Sequence, residues 1–63
     1  MRPGWLLDRG EVAAYLAVDV AVVDQLVMQG ALPRVEVGGP GGPERFRADD
    51  VVSYIDSLPR VSA

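Results

Sequence analysis

The sequence predicts a mainly α domain of three short helices, with a small β-hairpin between the second and the third, and three observations carry this. Apolar residues recur at helical spacing in two short runs before residue 30 and in one run after residue 47. Asp8 and Asp19, both good helix-start residues, precede the first two runs, and Gly30 with Pro33 closes the second. From Arg34 to Arg47, polar and apolar residues alternate on either side of the interruption GGPGGP.

The first helix is expected over about Arg9 to Leu16, ending near Ala17. Asp8 with Glu11 three residues later forms a capping-box pattern, in which each residue satisfies a free amide of the other at the helix start. Val12, Tyr15 and Leu16 then share a core-facing side, while Gly10 in the first turn costs up to ~1 kcal/mol relative to alanine. Val18 is expected to pack inward across a tight connection. Asp19 is the second N-cap, its carboxylate accepting from amides two or three residues on. The second helix runs from about Val20 to Gln29, with Val23, Leu26 and Val27 inward. Gly30 suits the left-handed position after it, and Pro33 prevents its resumption. Two short helices joined by three or four residues make a helix-turn-helix unit.

Arg34 to Val37 and Glu44 to Arg47 are the expected strands of the hairpin, or wing. Its Gly- and Pro-rich tip should be poorly fixed in conformation. The third helix, near Ala48 to Leu58, turns Val51, Val52, Ile55 and Leu58 inward and places Asp49 and Asp50 at its positive N-terminal end. Pro59 stops it. Trp5, with Leu6 and Leu7, reads as a lid over the first helix, with a partner-binding anchor as the alternative.

Sixty-three residues allow a single domain, with a core over about residues 6–58 and frayed ends, near the lower size limit for independent folding. No cysteine is present to staple so small a core, and without cysteine or histidine the usual zinc ligand sets cannot be assembled. No metal or cofactor is expected. Catalysis is not expected either: histidine, cysteine and lysine are missing, Ser53 and Ser57 lack a base, and Asp49 with Asp50 has a helix-start explanation. GGPGGP is not a phosphate-cradling loop, because no Lys-Ser or Lys-Thr follows and no helix starts directly behind it. No apolar run spans a bilayer, and MRPGWLL lacks the features of a signal peptide, so no membrane association and a cytoplasmic location are expected. The absence of Lys, Asn and Thr beside abundant Ala, Gly, Pro, Arg and Val fits GC-rich coding, as in a high-GC bacterium or its phage.

The segments LLDRGEVAAYLAV, VVDQLVMQGALPRVEVGG and RFRADDVVSYI, in that order, resemble the excisionase and MerR-like group of small winged helix-turn-helix proteins over roughly residues 6 to 58. The features that match are the Leu-Leu before the first cap, the E-V-A-x-Y-L stripe, a helix ending in G-x-L-P, a V-G-G wing, and R-F-R leading into D-V-x-x-Y-I. The resemblance implies a DNA-binding module used in excision, transcription control or phage packaging, with the second helix in the major groove and the wing at the neighbouring backbone or minor groove. Where that group usually carries Arg, Ser, Thr, Tyr or Lys at the exposed positions of the second helix, this chain carries Val20, Ala21, Val22, Asp24, Gln25, Met28 and Gln29.

The net charge of −3 rules out strong general DNA binding by overall charge, so any affinity depends on where the six arginines cluster. Arg34, Arg45 and Arg47 fall on the wing strands, Arg45 and Arg47 on one face and Phe46 on the other. They suit phosphate contact, or salt bridges to Glu36, Glu44, Asp49 or Asp50. Gln25 and Gln29, one helical turn apart, suit adenine edges in the major groove, or are ordinary solvated surface. Asp24 repels phosphate, although a carboxylate can accept from cytosine N4. Val20, Val22 and Met28 cannot all face the core with Val23, Leu26 and Val27, so part of this set forms an exposed apolar patch suited to a protein partner; loose core periphery or a thymine methyl contact is the alternative.

Two functional expectations follow. One is a small regulator that binds double-stranded DNA, weakly as a monomer, and gains affinity by self-association or through an integrase, terminase or other regulator. The other is a protein-interaction module, such as an antirepressor, inhibitor or assembly adaptor, that has lost direct DNA binding.

Overall fold

A computed structural model describes residues 5–61. Met1 to Gly4, the start of the MRPGWLL segment, and Ser62 and Ala63 of the expected frayed tail lie outside the described residues. The element order is β1 (Leu6–Leu7), α1 (Arg9–Leu16), α2 (Val20–Met28), β2 (Val35–Glu36), β3 (Glu44–Arg47) and α3 (Ala48–Ser57). The three helices thus accompany a three-stranded antiparallel sheet of order β1-β3-β2, a small mixed α/β arrangement. The expected hairpin is present as β2 and β3, but β1 adds a strand that the reading of the chain as mainly α did not include. Among the described residues, no helix is long and apolar enough to cross a membrane.

α1 begins as its capping residues dictate. Asp8 Oδ1 accepts from the Glu11 amide at 2.8 Å, and the Asp8 amide donates to Glu11 Oε1 at 2.8 Å. It stops at Ala17, which adopts the left-handed conformation (φ 59°) usually given to glycine, while the Val18 amide reaches back to the Ala13 carbonyl at 3.0 Å. Asp19 does stand at the N-cap of α2 in an extended conformation, but its side chain makes no capping hydrogen bond; the Asp19 carbonyl accepts from the Val22 amide at 2.9 Å instead. α2 ends one residue before the expected Gln29, which is its C-cap. Gly30 is left-handed as expected (φ 78°), and amides of Gly30 and Ala31 close the helix end on the carbonyls of Val27 and Leu26. That turn drives Leu32 into the core.

The core is Val12 and Ala13 from α1, Val23 from α2, Leu32, Phe46 from β3 and Val51 from α3, with Leu7, Leu16, Leu26, Val27 and Tyr54 packed at its margin. Several inward expectations fail at this margin. Tyr15 and Val18 are exposed, and so are Val52, Ile55 and Leu58, because α3 packs on the body through Ala48, Val51 and Tyr54 instead. α3 also ends at Ser57 rather than Leu58, which is already extended. Trp5 and Leu6 are exposed as well, so only Leu7 of the supposed lid covers the core.

Leu6 and Leu7 instead close the sheet, paired with Arg47 and Phe46, and the Trp5 carbonyl accepts from the Ala48 amide at 2.8 Å. On the other side of β3, Val35 stands opposite Arg45, and Glu36 opposite Glu44. Residues directly opposite share a face. Leu7, Phe46, Glu44 and Glu36 therefore lie on the inner face, and Leu6, Arg47, Arg45 and Val35 on the outer one. The hairpin tip, expected to be poorly fixed, is a hydrogen-bonded turn: Val37 donates to the Pro43 carbonyl at 2.9 Å, Gly42 to that of Gly39 at 3.0 Å, and Gly41 to Glu36 Oε1 at 3.3 Å. Gly42 is required there, since a Cβ at this position would lie 1.9 Å from the Val37 carbonyl oxygen.

Candidate nucleic-acid interface

Arg9, on the first residue of α1, joins three elements. Its Nη1 donates to Asp24 Oδ1 on α2, while Nε and Nη2 donate to Glu44 Oε2 on β3 at 2.9 and 2.6 Å. The guanidinium carbon also lies 5.7 Å from the centre of the Phe46 ring, within cation–π range. The hydrogen bond to Asp24, and after it that to Glu44, raises the Arg9 pKa above an arginine's ordinary value. From Glu44 the chain of charges continues: Arg34 Nη1 lies 3.6 Å from Glu44 Oε1 and 3.6 Å from Glu36 Oε2. Asp24, Arg9, Glu44, Arg34 and Glu36 thus alternate in sign along one path from α2 to the hairpin. Glu36 and Glu44 would repel across the strands; Arg34 sits between them and offsets this.

This network alters the meaning of Asp24. As an isolated acid on the second helix it would repel an anionic ligand. Paired with Arg9, its charge is partly offset, Arg9 being shared with Glu44.

The remaining surface of α2 follows from its pitch of ~100° per residue. Val23, Leu26 and Val27 face inward, so Ala21, Gln25 and Met28 form the outward centre, with Gln29 one turn beyond Gln25. Met28 is 86% exposed. Val20 and Val22 are exposed too, but they lie on opposite flanks of the helix, ~160° apart. Val20, Val22 and Met28 therefore do not make one continuous patch; the outward strip is Ala21, Gln25, Met28 and Gln29.

The hairpin arginines differ from one another. Arg34 is held between Glu36 and Glu44. Arg45 and Arg47 share the outer sheet face, as alternation requires; Arg45 Nη1 folds back to donate to the Glu44 carbonyl at 2.6 Å, and Arg47 Nη2 is 3.6 Å from Asp49 Oδ2. Each thus has a partner within the chain, and the pairs of Arg34 and Arg47 are long and largely solvated, a type that contributes at most about 1 kcal/mol.

Arg9 was not among the residues singled out from the sequence, because its partners are 15 and 35 positions away. One local signal was available. A cation in the first turn of a helix opposes the helix dipole, so an arginine there implies a compensating acid elsewhere in the fold. Among the described residues no group of acids, histidines or cysteines has the arrangement of a metal site. Comparison with protein-family models gives no match, and comparison with curated proteins gives none either.

Proposed function

We propose that this chain is a small DNA-binding regulator of the excisionase or MerR-like kind, with a winged helix-turn-helix in which α2 is the recognition helix and β2–β3 the wing. It binds and does not catalyse. The observation that carries the reading is the neutral outward strip of α2: with Asp24 tied to Arg9, the strip offers two glutamine amides and the methyl groups of Ala21 and Met28. Those groups suit adenine edges and thymine methyls in a major groove. Arg34, Arg45 and Arg47 then serve the phosphate backbone. The roles that fit are accessory ones in excision, transcription or packaging for a phage or mobile element, acting in the cytoplasm, with affinity reinforced by self-association or by an integrase, terminase or other regulator.

Anisotropy of labelled duplexes taken from DNA flanking the gene tests this, at low and moderate salt. Wild type should bind with log K falling against log salt at a slope of roughly −2 to −3, as for two or three phosphate contacts. Arg45→Ala with Arg47→Ala should remove most of that dependence. A folded protein that binds no duplex at low salt refutes the reading.

A second reading is favoured by the exposure of Met28 at the centre of a helix face that carries no cation. On it the fold is kept as a protein-interaction module, an antirepressor, inhibitor or adaptor, docking through Met28 with Val20 or Val22 at the edge. Met28→Ser with Val22→Ser should then abolish capture of its partner while leaving the fold intact, and unchanged capture disproves it.

A further inference from the structure

Two arginines from distant parts of the chain converge on the carboxylate of one glutamate. Arg9 of α1 donates twice to Glu44 Oε2, at 2.9 and 2.6 Å, and Arg34, just before β2, stands 3.6 Å from Oε1. Arginine forks gathered round a single oxyanion are the usual means of holding a phosphate group. Here the oxyanion is the protein's own carboxylate.

The ion pairs join two arginines, Arg9 and Arg34, to three acids, Asp24, Glu36 and Glu44, with Glu44 the acid they share. If the Glu44 carboxylate turns out to solvent, the remaining pairs, Arg9 with Asp24 and Arg34 with Glu36, are neutral overall, and both guanidinium groups lose the shared oxyanion that had filled the space between them. A phosphodiester, with a single negative charge, replaces it without changing the total. Access is from the Arg34 side, since that side chain is 49% exposed against 30% for Arg9 and 28% for Glu44.

We infer that Glu44 is a resident stand-in for a phosphate group, and that Arg9 and Arg34 form an oxyanion site at the junction of α1, α2 and the hairpin that opens when Glu44 is displaced. The ligand class is a phosphate oxyanion. Its identification with a nucleic-acid backbone rests on the DNA-binding reading; the site itself does not. Glu44 then acts as an internal competitor, so that phosphate binds only where other contacts help to displace the carboxylate. This sets Arg9 beside the hairpin arginines as a phosphate ligand.

The test uses the full chain with Glu44→Gln, which keeps the shape and removes the charge. Asp56→Asn, the same change of charge at an exposed residue that takes part in none of the ion pairs among the described residues, is the control. In the first arm, inorganic phosphate is titrated while the arginine Nε–H resonances are followed by NMR. The Arg9 and Arg34 signals of Glu44→Gln should move, at about fivefold lower phosphate than in wild type or Asp56→Asn. Equal response in all three proteins, or movement of other arginines instead, overturns the inference. In the second arm, duplex DNA should bind Glu44→Gln about fivefold more tightly than Asp56→Asn, and adding Arg34→Gln should erase the gain. A gain no larger than that of Asp56→Asn reflects net charge alone and also overturns it. Response to free phosphate in the first arm with no duplex binding by any variant keeps the site and refutes the DNA reading. Should Glu44→Gln not fold, Arg34→Gln and Arg60→Gln in the native chain replace it. Arg34→Gln must then shift the phosphate titration of Arg9 while Arg60→Gln leaves it in place; equal effects refute the site.

Discussion

Arg9 lies across the face of Phe46, its guanidinium carbon 5.7 Å from the ring centre, and Phe46 has no exposed surface at all. One arginine thus covers the most central aromatic of the core while bonding to acids of two other elements. Arg9→Ala should cost about 1–2 kcal/mol in urea unfolding, combining a cation–π contact with two partly solvated ion pairs. Because the Arg9 pKa is raised on folding, its contribution is complete below the ordinary arginine value and is lost only in strong alkali. The loss in Arg9→Ala should therefore not be reproduced by raising pH within the physiological range. A wild-type stability curve that falls there by as much as the mutation costs contradicts this assignment.

The N-caps of α1 and α2 should behave differently although both are aspartates. Asp8 makes the reciprocal capping box and Asp19 makes no side-chain cap bond. Asp8→Ala should destabilise by about 1 kcal/mol, and Asp19→Ala by less than half of that. Thermal or urea unfolding of the pair decides it, and equal losses would show that Asp19 does cap in solution.

Gly42 and Gly30 separate contact from conformation. A Cβ on Gly42 collides with the Val37 carbonyl, whereas Gly30 has open space but a left-handed backbone. Gly30→Ala should cost about 1 kcal/mol with chemical shifts changed only near the end of α2. Gly42→Ala should displace the hairpin, shifting amide resonances of Val37 and Glu44 and removing protection of the Val37 amide from hydrogen exchange. An unperturbed hairpin in Gly42→Ala would show that the turn does not have this form.

Ala17 is the converse case, an alanine in the conformation that glycine prefers. Ala17→Gly should stabilise the protein by up to ~1 kcal/mol, reduced by the greater freedom that glycine gives the unfolded chain. A rise in the denaturation midpoint checks it; a fall would mean that the unfolded-state effect dominates.

The helix starts, the hairpin strands and the end of α2 were legible in the sequence because each is written in a few adjacent residues: Asp8 with Glu11, Gly30 before Pro33, and alternation about Phe46. What was not legible depends on distance or on absence. β1 is two residues long, too short for any period, and exists only because β3 has a free edge beside it. Leu32 belongs to no periodic run and reaches the core through the turn at Gly30. The spacing of Val51 and Ile55 fits α3, but periodicity does not reveal that the helix packs through Val51 and Tyr54, leaving Ile55 exposed, or that it ends before Leu58. On the candidate surface, the arginines and glutamines could be placed on their elements from the sequence. The partner of Asp24 could not, since only the packing of α1 on α2 and β3 brings Arg9 there.

The pairing of Leu6 with Arg47 also bears on the order of events during synthesis. α1, α2 and the turn between them are local and can associate as soon as they leave the ribosome. The sheet cannot, because β1 must wait through some forty further residues for its neighbour β3. Until β3 emerges, the helix pair lacks Phe46 and stands as an unfinished half with its apolar side uncovered. Completion is therefore expected late and in one step, after nearly the whole described chain has been made.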